Sequence, residues 1–172
     1  MTSILKVDQI QTTAGAAPTA KDLGFADGSV LQTVYNNYGT MVTVSQNTSH
    51  VSTGLTATIT PTSTSSKILI IASQQARIFN NTSDNGYGIR FKRDSTVIYT
   101  PSATNYHVYT YINNVYFDMR GNNSFYYLDS PASTSALTYS LEARMYQGSG
   151  APSVRYQDNS NQSNIILMEI AQ

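Results

Sequence analysis

Leu137, Tyr139, Leu141, Ala143 and Met145 alternate with Thr138, Ser140, Glu142, Arg144 and Tyr146. A strict period of two over that length leaves few alternatives to a strand with one buried face. Ser130-Pro131 before it and Gly148-Ser149-Gly150 after it supply turn residues at both ends. The same period returns in Val42 and Val44 and in Leu55, Ala57 and Ile59, which predicts two strands with a hairpin or corner around Ser49 to Gly54. Pro61 lacks a ladder donor and ends the second of these. Thr62-Ser63-Thr64-Ser65-Ser66 then provides turn chemistry, and the non-alternating Lys67 to Ile71 reads as a strand buried on both faces.

Further on, Tyr87 to Lys92 and Thr96 to Tyr99 flank Arg93-Asp94-Ser95, the pattern of a tight hairpin, with Asn80 to Gly86 as the loop before it. Asn105 to Met119 is rich in Tyr, Val, Ile and Phe and forms one long strand or two, with Asn113-Asn114 as a bend. A short strand is expected near Val154 to Gln157 and a last one at Asn164 to Ile170. Helical periodicity is nearly missing: Pro18 to Leu23 offers a single turn or two, with Gly24 as its cap. Many short strands without an amphipathic helix to cover a sheet predict an all-β fold, a β-sandwich or jelly-roll-like domain over residues 28–172. Residues 1–27 read differently, as a short extended N-terminal arm. Ser3 to Ile10 has strand character, Thr12 to Ala20 is small and flexible, and Ile4, Leu5, Val7, Ile10 and Leu23 are the apolar residues with which the arm docks elsewhere.

Composition narrows the partners. Ten basic and ten acidic residues cancel, and at 12% charged the chain has no clustered Lys/Arg footprint for phosphate backbones or anionic lipid. Neither nucleic acid nor membrane is expected as a partner. Cysteine is absent, so stability rests on packing and assembly rather than on disulfides. The opening MTSILKVDQIQ has no basic region leading into a long apolar stretch, and Ile68 to Ala72 is too short to span a bilayer, so no signal peptide or membrane segment is expected.

Chemistry-bearing constellations are scarce. His50 sits in a Ser/Thr-rich turn and reads as a solvated loop residue, and His107 between Tyr106 and Val108 reads as a strand surface residue; their spacing suits no metal. Glu142 and Glu169, the only glutamates, fall in predicted strands, where a glycosidase pair is conceivable. A cross-strand ion pair beside Arg144 accounts for Glu142 more simply. No nucleophile elbow, phosphate loop or dinucleotide fingerprint occurs, so the chain reads as a non-enzyme without cofactor. The one excess is tyrosine, thirteen against no tryptophan. Tyr106, Tyr109, Tyr111, Tyr116, Tyr126 and Tyr127 are candidates for a subunit interface or a glycan contact, since each ring pairs a large apolar area with a hydroxyl. Ordinary strand and core packing explains such rings equally well.

The ordered set "SILKVDQIQTTAGAAPTA", "DGSVLQ", "ATITPTSTSSKILI", "DSPASTSALTYSLEAR" and "NIILMEI" resembles virion structural proteins of tailed bacteriophages, those of marine and cyanobacterial phages in particular. In that group such segments recur in short fibre-like proteins and in distal domains of tail fibres. The resemblance implies an N-terminal segment that attaches to the particle, a β-sandwich head that forms a homotrimer, other virion proteins as partners, and a virion assembled in the host cytoplasm. No stalk, repeat or coiled-coil heptad separates arm from head, which favours a short appendage over a long fibre. A capsid decoration protein is a close variant. A carbohydrate-binding module that stacks host surface glycan on Tyr109, Tyr111 and Tyr126 is the alternative from another class.

Overall fold

The computed structural model describes residues 23–45, 49–80, 85–101, 107–111, 116–145 and 153–172. The expected strand at Ser3 to Ile10, the helical turn from Pro18 apart from Leu23, and the Asn113-Asn114 bend lie outside them. Eleven strands run through the described chain: β1 (Val30–Tyr38), β2 (Val42–Ser45), β3 (Val51–Ile59), β4 (Lys67–Asn80), β5 (Asn85–Arg93), β6 (Thr96–Tyr99), β7 (Val108–Thr110), β8 (Phe117–Asp129), β9 (Leu137–Met145), β10 (Ser153–Tyr156) and β11 (Ser163–Ile170).

All their pairings are antiparallel, and three consecutive pairs behave as single interrupted strands. Along one edge of β4, β11 covers Lys67 to Ser73 and β10 covers Ala76 to Phe79. On the far side of those two, β1 pairs β11 and β2 pairs β10. In the other sheet β6 and β7 share one edge of β5. Joining each pair reduces the eleven strands to eight, ordered 1-8-3-6 in the first sheet and 2-7-4-5 in the second. Successive strands cross from sheet to sheet except at the β5–β6 hairpin. That is the winding of a jelly roll, and it agrees with the all-β sandwich read from the sequence.

Several local expectations are refined. The predicted hairpin turns at Asp94-Ser95, with Arg93 opposite Thr96 and Asp94 at φ 52°. Asn105 to Met119 contributes to two strands, and the second extends to Asp129. β2 and β3 lie in different sheets, so the connection before Val51 is a corner and not a hairpin, and Gly54 lies inside β3 at a register shift. Its φ of +84° and the Tyr38 ring, which occupies the place of a Cβ, together require glycine there.

Alternation sends Leu55, Ile59, Ile70, Ile78, Ile89, Phe91, Leu141, Ile165 and Leu167 into the space between the sheets, where all are fully or almost fully buried. The two open sides of the sandwich close differently. On one, Asn36 Nδ2 donates to Thr56 O at 2.7 Å and Gln32 Nε2 to Thr60 O at 2.7 Å, tying β1 to β3. On the other, Phe91, Tyr99 and Tyr127 stack with centroids 6.3 Å and 4.6 Å apart. At the break between β10 and β11, Ser163 Oγ accepts from Gln75 N at 2.9 Å and lies 2.8 Å from the side-chain amides of Gln74 and Gln157.

Two inward carboxylates close one end of the first sheet. Asp129 accepts from Arg93 Nη1 and from the Tyr139 hydroxyl, each at 2.7 Å, and so binds β8 to the opposite sheet. Among the described residues no cation pairs with Glu169. Burial opposes its charge, yet Gln32 Nε2 at 2.6 Å and the Thr62 N–H and hydroxyl, each at 2.7 Å, outweigh that cost and hold its carboxyl below the usual range. The first hydroxyl of the Thr62 to Ser66 run thus fastens the β3–β4 connection to β11. Replacing Glu169 with alanine leaves those donors without an acceptor and is expected to cost about 2–3 kcal/mol. Glu169→Gln keeps one acceptor and should cost less; calorimetric melting of the two variants checks the order.

Candidate functional site

The residues that β1, β11, β4 and β8 turn away from the core form rows fixed by strand register. Tyr35, Ile166, Ile71 and Tyr126 make one row, and Thr33, Met168, Leu69 and Leu128 the next. Val30, Ile170 and Lys67 make a third. Tyr126 is 74% exposed, Tyr35 62%, Val30 51%, Leu128 47% and Ile71 36%. At strand spacings of about 4.8 Å and two-residue steps of about 6.7 Å, the three rows cover roughly 300–400 Å². A patch of that size, broken by Thr33 and Lys67, is on the scale of the largest apolar patch of an ordinary monomer, which is often functional.

Along the same face the chemistry then changes. Asn37, Asn164, Ser73 and Ser124 form the next row, Gln75 stands opposite Asn122, and Arg155, Arg77 and Arg120 lie side by side after them. The arginines are internally matched. Arg77 donates to Asp118 at 2.8 Å and 2.7 Å and to Asp158 at 2.9 Å. Its guanidinium and that of Arg155 flank the Phe79 ring at 4.8 Å and 4.6 Å. Hydrogen bonding from Arg77 holds the Asp118 carboxyl below the ordinary range.

The outer face of the second sheet is polar throughout its centre. Arg90 stands directly opposite Glu142 and donates to it at 2.8 Å and 2.6 Å, and Lys92 donates at 3.1 Å, which is the cross-strand pairing expected of Glu142. Thr58 and Thr138 share a hydrogen bond of 2.8 Å. The apolar rows at one end of the first sheet's outer face have no counterpart at the polar centre of the second's.

Both histidines depart from their expected settings. His50 is partly buried rather than a free loop residue, and its burial and the nearby charges of Arg90 and Arg144 push its pKa down to about 4. His107 is partly buried rather than a strand surface residue. Its Nδ1 accepts the Ile89 N–H at 2.7 Å, its backbone N–H donates to Tyr87 O at 2.9 Å, and its ring stands edge-on to Phe125. Burial lowers its pKa. Among the described residues no three His, Asp or Glu side chains converge as a metal site would require.

The tyrosines read as candidates do not share one surface. Tyr126 belongs to the apolar face. Tyr109 and Tyr111, at β7, are exposed on the second sheet, and Tyr116 is exposed beside Asp118 at the far end of β8. Tyr127 faces inward onto Tyr99. Leu23 is exposed, while Ile4, Leu5, Val7, Ile10 and Tyr106 lie outside the described residues. Tyr35, Ile71, Leu128, Ile166 and Met168 were not among the candidates. For Ile71, Ile166 and Met168 the signal is the absence of alternation in Lys67 to Ile71 and Asn164 to Ile170, which a strand buried on both faces also produces. Next to Tyr126 lies a groove of about 200 Å³ lined by Tyr99, Pro101, Ser124, Phe125 and Tyr126.

No protein-family model and no curated protein matches the chain. Among solved structures it is similar to the VP2 subviral particle of infectious bursal disease virus, a viral particle protein, with 11% identity and a TM-score of 0.36 over 84% of this chain. The matched part is 39% of that chain, so the protein spans about two-fifths of its length. A likeness of that order transfers no function, and the roles below rest on this chain's own residues.

A pH test follows from His50. The unfolded chain takes up its proton near pH 6.5 and the folded chain only near 4, so the stability that neutral His50 contributes is lost as pH falls between those values. Urea midpoints at pH 7 and pH 5 should differ more in the parent than in His50→Gln.

Proposed function

We propose that this protein is a structural component of a tailed-phage virion, a short fibre-like appendage whose β domain self-associates as a homotrimer and whose residues 1–27 form an attachment arm. The observation that carries the reading is the contrast between the two outer faces. A sheet face bearing Tyr35, Leu69, Ile71, Tyr126, Leu128, Ile166 and Met168 is a surface to be covered, whereas the second sheet's Arg90, Lys92, Glu142, Thr58 and Thr138 are suited to solvent. A low-charge chain assembles with little desolvation cost. The ordered sequence segments point to phage virions. Jelly rolls recur in capsid and lectin domains, which agrees by fold-level analogy only. Catalysis is not part of the proposal, and a capsid decoration protein differs from it only in where the chain sits.

Light scattering coupled to size exclusion tests self-association. The full chain is expected at three times the mass of one chain. A strictly monomeric protein at micromolar concentration speaks against an assembling head.

A second reading has its own observation. The Tyr99–Pro101–Tyr126 groove, with the Tyr126 ring exposed beside it, offers a stacking platform of the kind sugars use. If the appendage carries a glycan-binding tip there, array binding by the full chain should fall at least tenfold in Tyr126→Ala. A flat array removes this reading and leaves the structural one in place.

A further inference from the structure

We propose that His107 is an acid-released latch on the β6–β7 edge of the second sheet. Its neutral imidazole supplies the acceptor for the Ile89 N–H in the gap between those two strands, and a proton on the ring frees that edge.

The gap follows from strand register. β7 stands opposite Asn85 to Tyr87 and β6 opposite Phe91 to Arg93, so neither reaches Ile89. Ile89 is buried, and a buried backbone N–H needs an acceptor. The His107 backbone N–H donates to Tyr87 O at 2.9 Å and prolongs the β7 ladder by one bond. Its Nδ1 then takes the Ile89 N–H at 2.7 Å, in the place of a ladder carbonyl. Ser163 Oγ meets the Gln75 N–H in the same way at the β10–β11 break. Both interruptions are thus bridged by a side chain, but only the imidazole loses its acceptor by taking up a proton in the range of ordinary pH.

An imidazole nitrogen accepts only while it carries no proton, so the neutral ring holds its hydrogen on Nε2. The second proton goes to Nδ1, where it faces the Ile89 N–H, donor against donor. Nε2 is buried without a hydrogen-bond partner, and Phe125 stands edge-on with its centroid 5.2 Å away, so neither offers the charged ring an acceptor. The packed elements bring no compensating charge. Arg90 and Lys92 of β5 and Glu142 and Arg144 of β9 stand on the outer face of the sheet, where Glu142 takes up Arg90 and Lys92. Arg93 of β5 pairs with Asp129 of β8, and Asp118 of β8 with Arg77. β6 and β7 carry no charged residue, and the titratable groups they and their neighbours add are the phenols of Tyr87, Tyr99, Tyr109, Tyr126 and Tyr127.

The direction with pH follows. With the edge open, the ring takes up a proton near its ordinary 6.5; with the edge closed, burial lowers that value. The latch is engaged above pH 6.5 and weakens as pH falls toward the closed form's pKa, by up to about tenfold in the opening equilibrium per pH unit. Phe125 also lines the groove beside Tyr126, together with Tyr99 of β6, so release of the edge loosens a wall of that groove.

Amide hydrogen exchange on the full chain, corrected for the intrinsic effect of pH, tests the latch. Protection of the Ile89 amide is expected to fall at least about fivefold from pH 7 to pH 5, relative to amides at the centre of β4. In His107→Asn, whose side-chain oxygen keeps an acceptor at the Nδ1 position without titrating, it should stay level. An unchanged Ile89 amide in the parent, or an equal fall in His107→Asn, overturns the proposal. Should His107→Asn already lose Ile89 protection at pH 7, nitrogen NMR of the parent's ring decides. A proton on Nε2 alone at pH 7, with Ile89 protection lost as Nδ1 gains its proton, supports the latch. A proton on Nδ1 at pH 7, or a ring that charges while Ile89 stays protected, overturns it.

Discussion

Strand β4 is paired along both edges for nearly its whole length, by β8 on one side and by β11 and then β10 on the other, and the arrangement of every other element in its sheet follows from those hydrogen bonds. Its register fixes which residues share a row. Ile68 stands opposite Glu169 on one side and Asp129 on the other, so one row carries both inward carboxylates. Burying a carboxylate is tolerable only when its oxygens are fully engaged. Asp129 is engaged by Arg93 and Tyr139 of the opposite sheet, and Glu169 by Thr62 in the connection and by its register partner Gln32 at the bulge in β1. A slip of one residue in β8 or β11 turns that strand's side chains to the other face and takes Asp129 or Glu169 from its partners, so the polar row reinforces the register that the apolar core sets.

Much of this fold is legible in the sequence because its logic is local. Leu137 to Met145 reads as a strand since each inward residue is apolar and each outward one polar, and β9 obeys that rule along its whole length. The Asp94-Ser95 turn is legible for the same reason, being decided by a few adjacent residues. The rule fails where its assumption fails. Alternation marks a strand with water on one side, and the outer face of the first sheet is not made for water. Lys67 to Ile71 consequently reads as buried on both faces, although Ile71 is exposed in the isolated chain. That failure marks the candidate site itself. Gly54 was misplaced as turn material because the cause of its glycine, the ring of Tyr38, is distant in sequence. The tyrosines were grouped by proximity along the chain, but adjacent residues of a strand point in opposite directions, which sends Tyr126 outward and Tyr127 onto Tyr99.

The size of the apolar face also bears on the form of assembly. At about 25 cal/mol per Å², covering roughly 300–400 Å² on one side and a similar area of the occupant gives a gross gain on the order of 15–20 kcal/mol. Association costs on the order of 4–15 kcal/mol. A single contact of this kind therefore lies near the margin. Closure changes the balance, because a ring of three copies makes three such contacts while only two losses of translational and rotational freedom are incurred, and the third contact forms at the high effective concentration of an intramolecular step. A marginal contact on this face would therefore gain from closure into a ring what an isolated pair lacks.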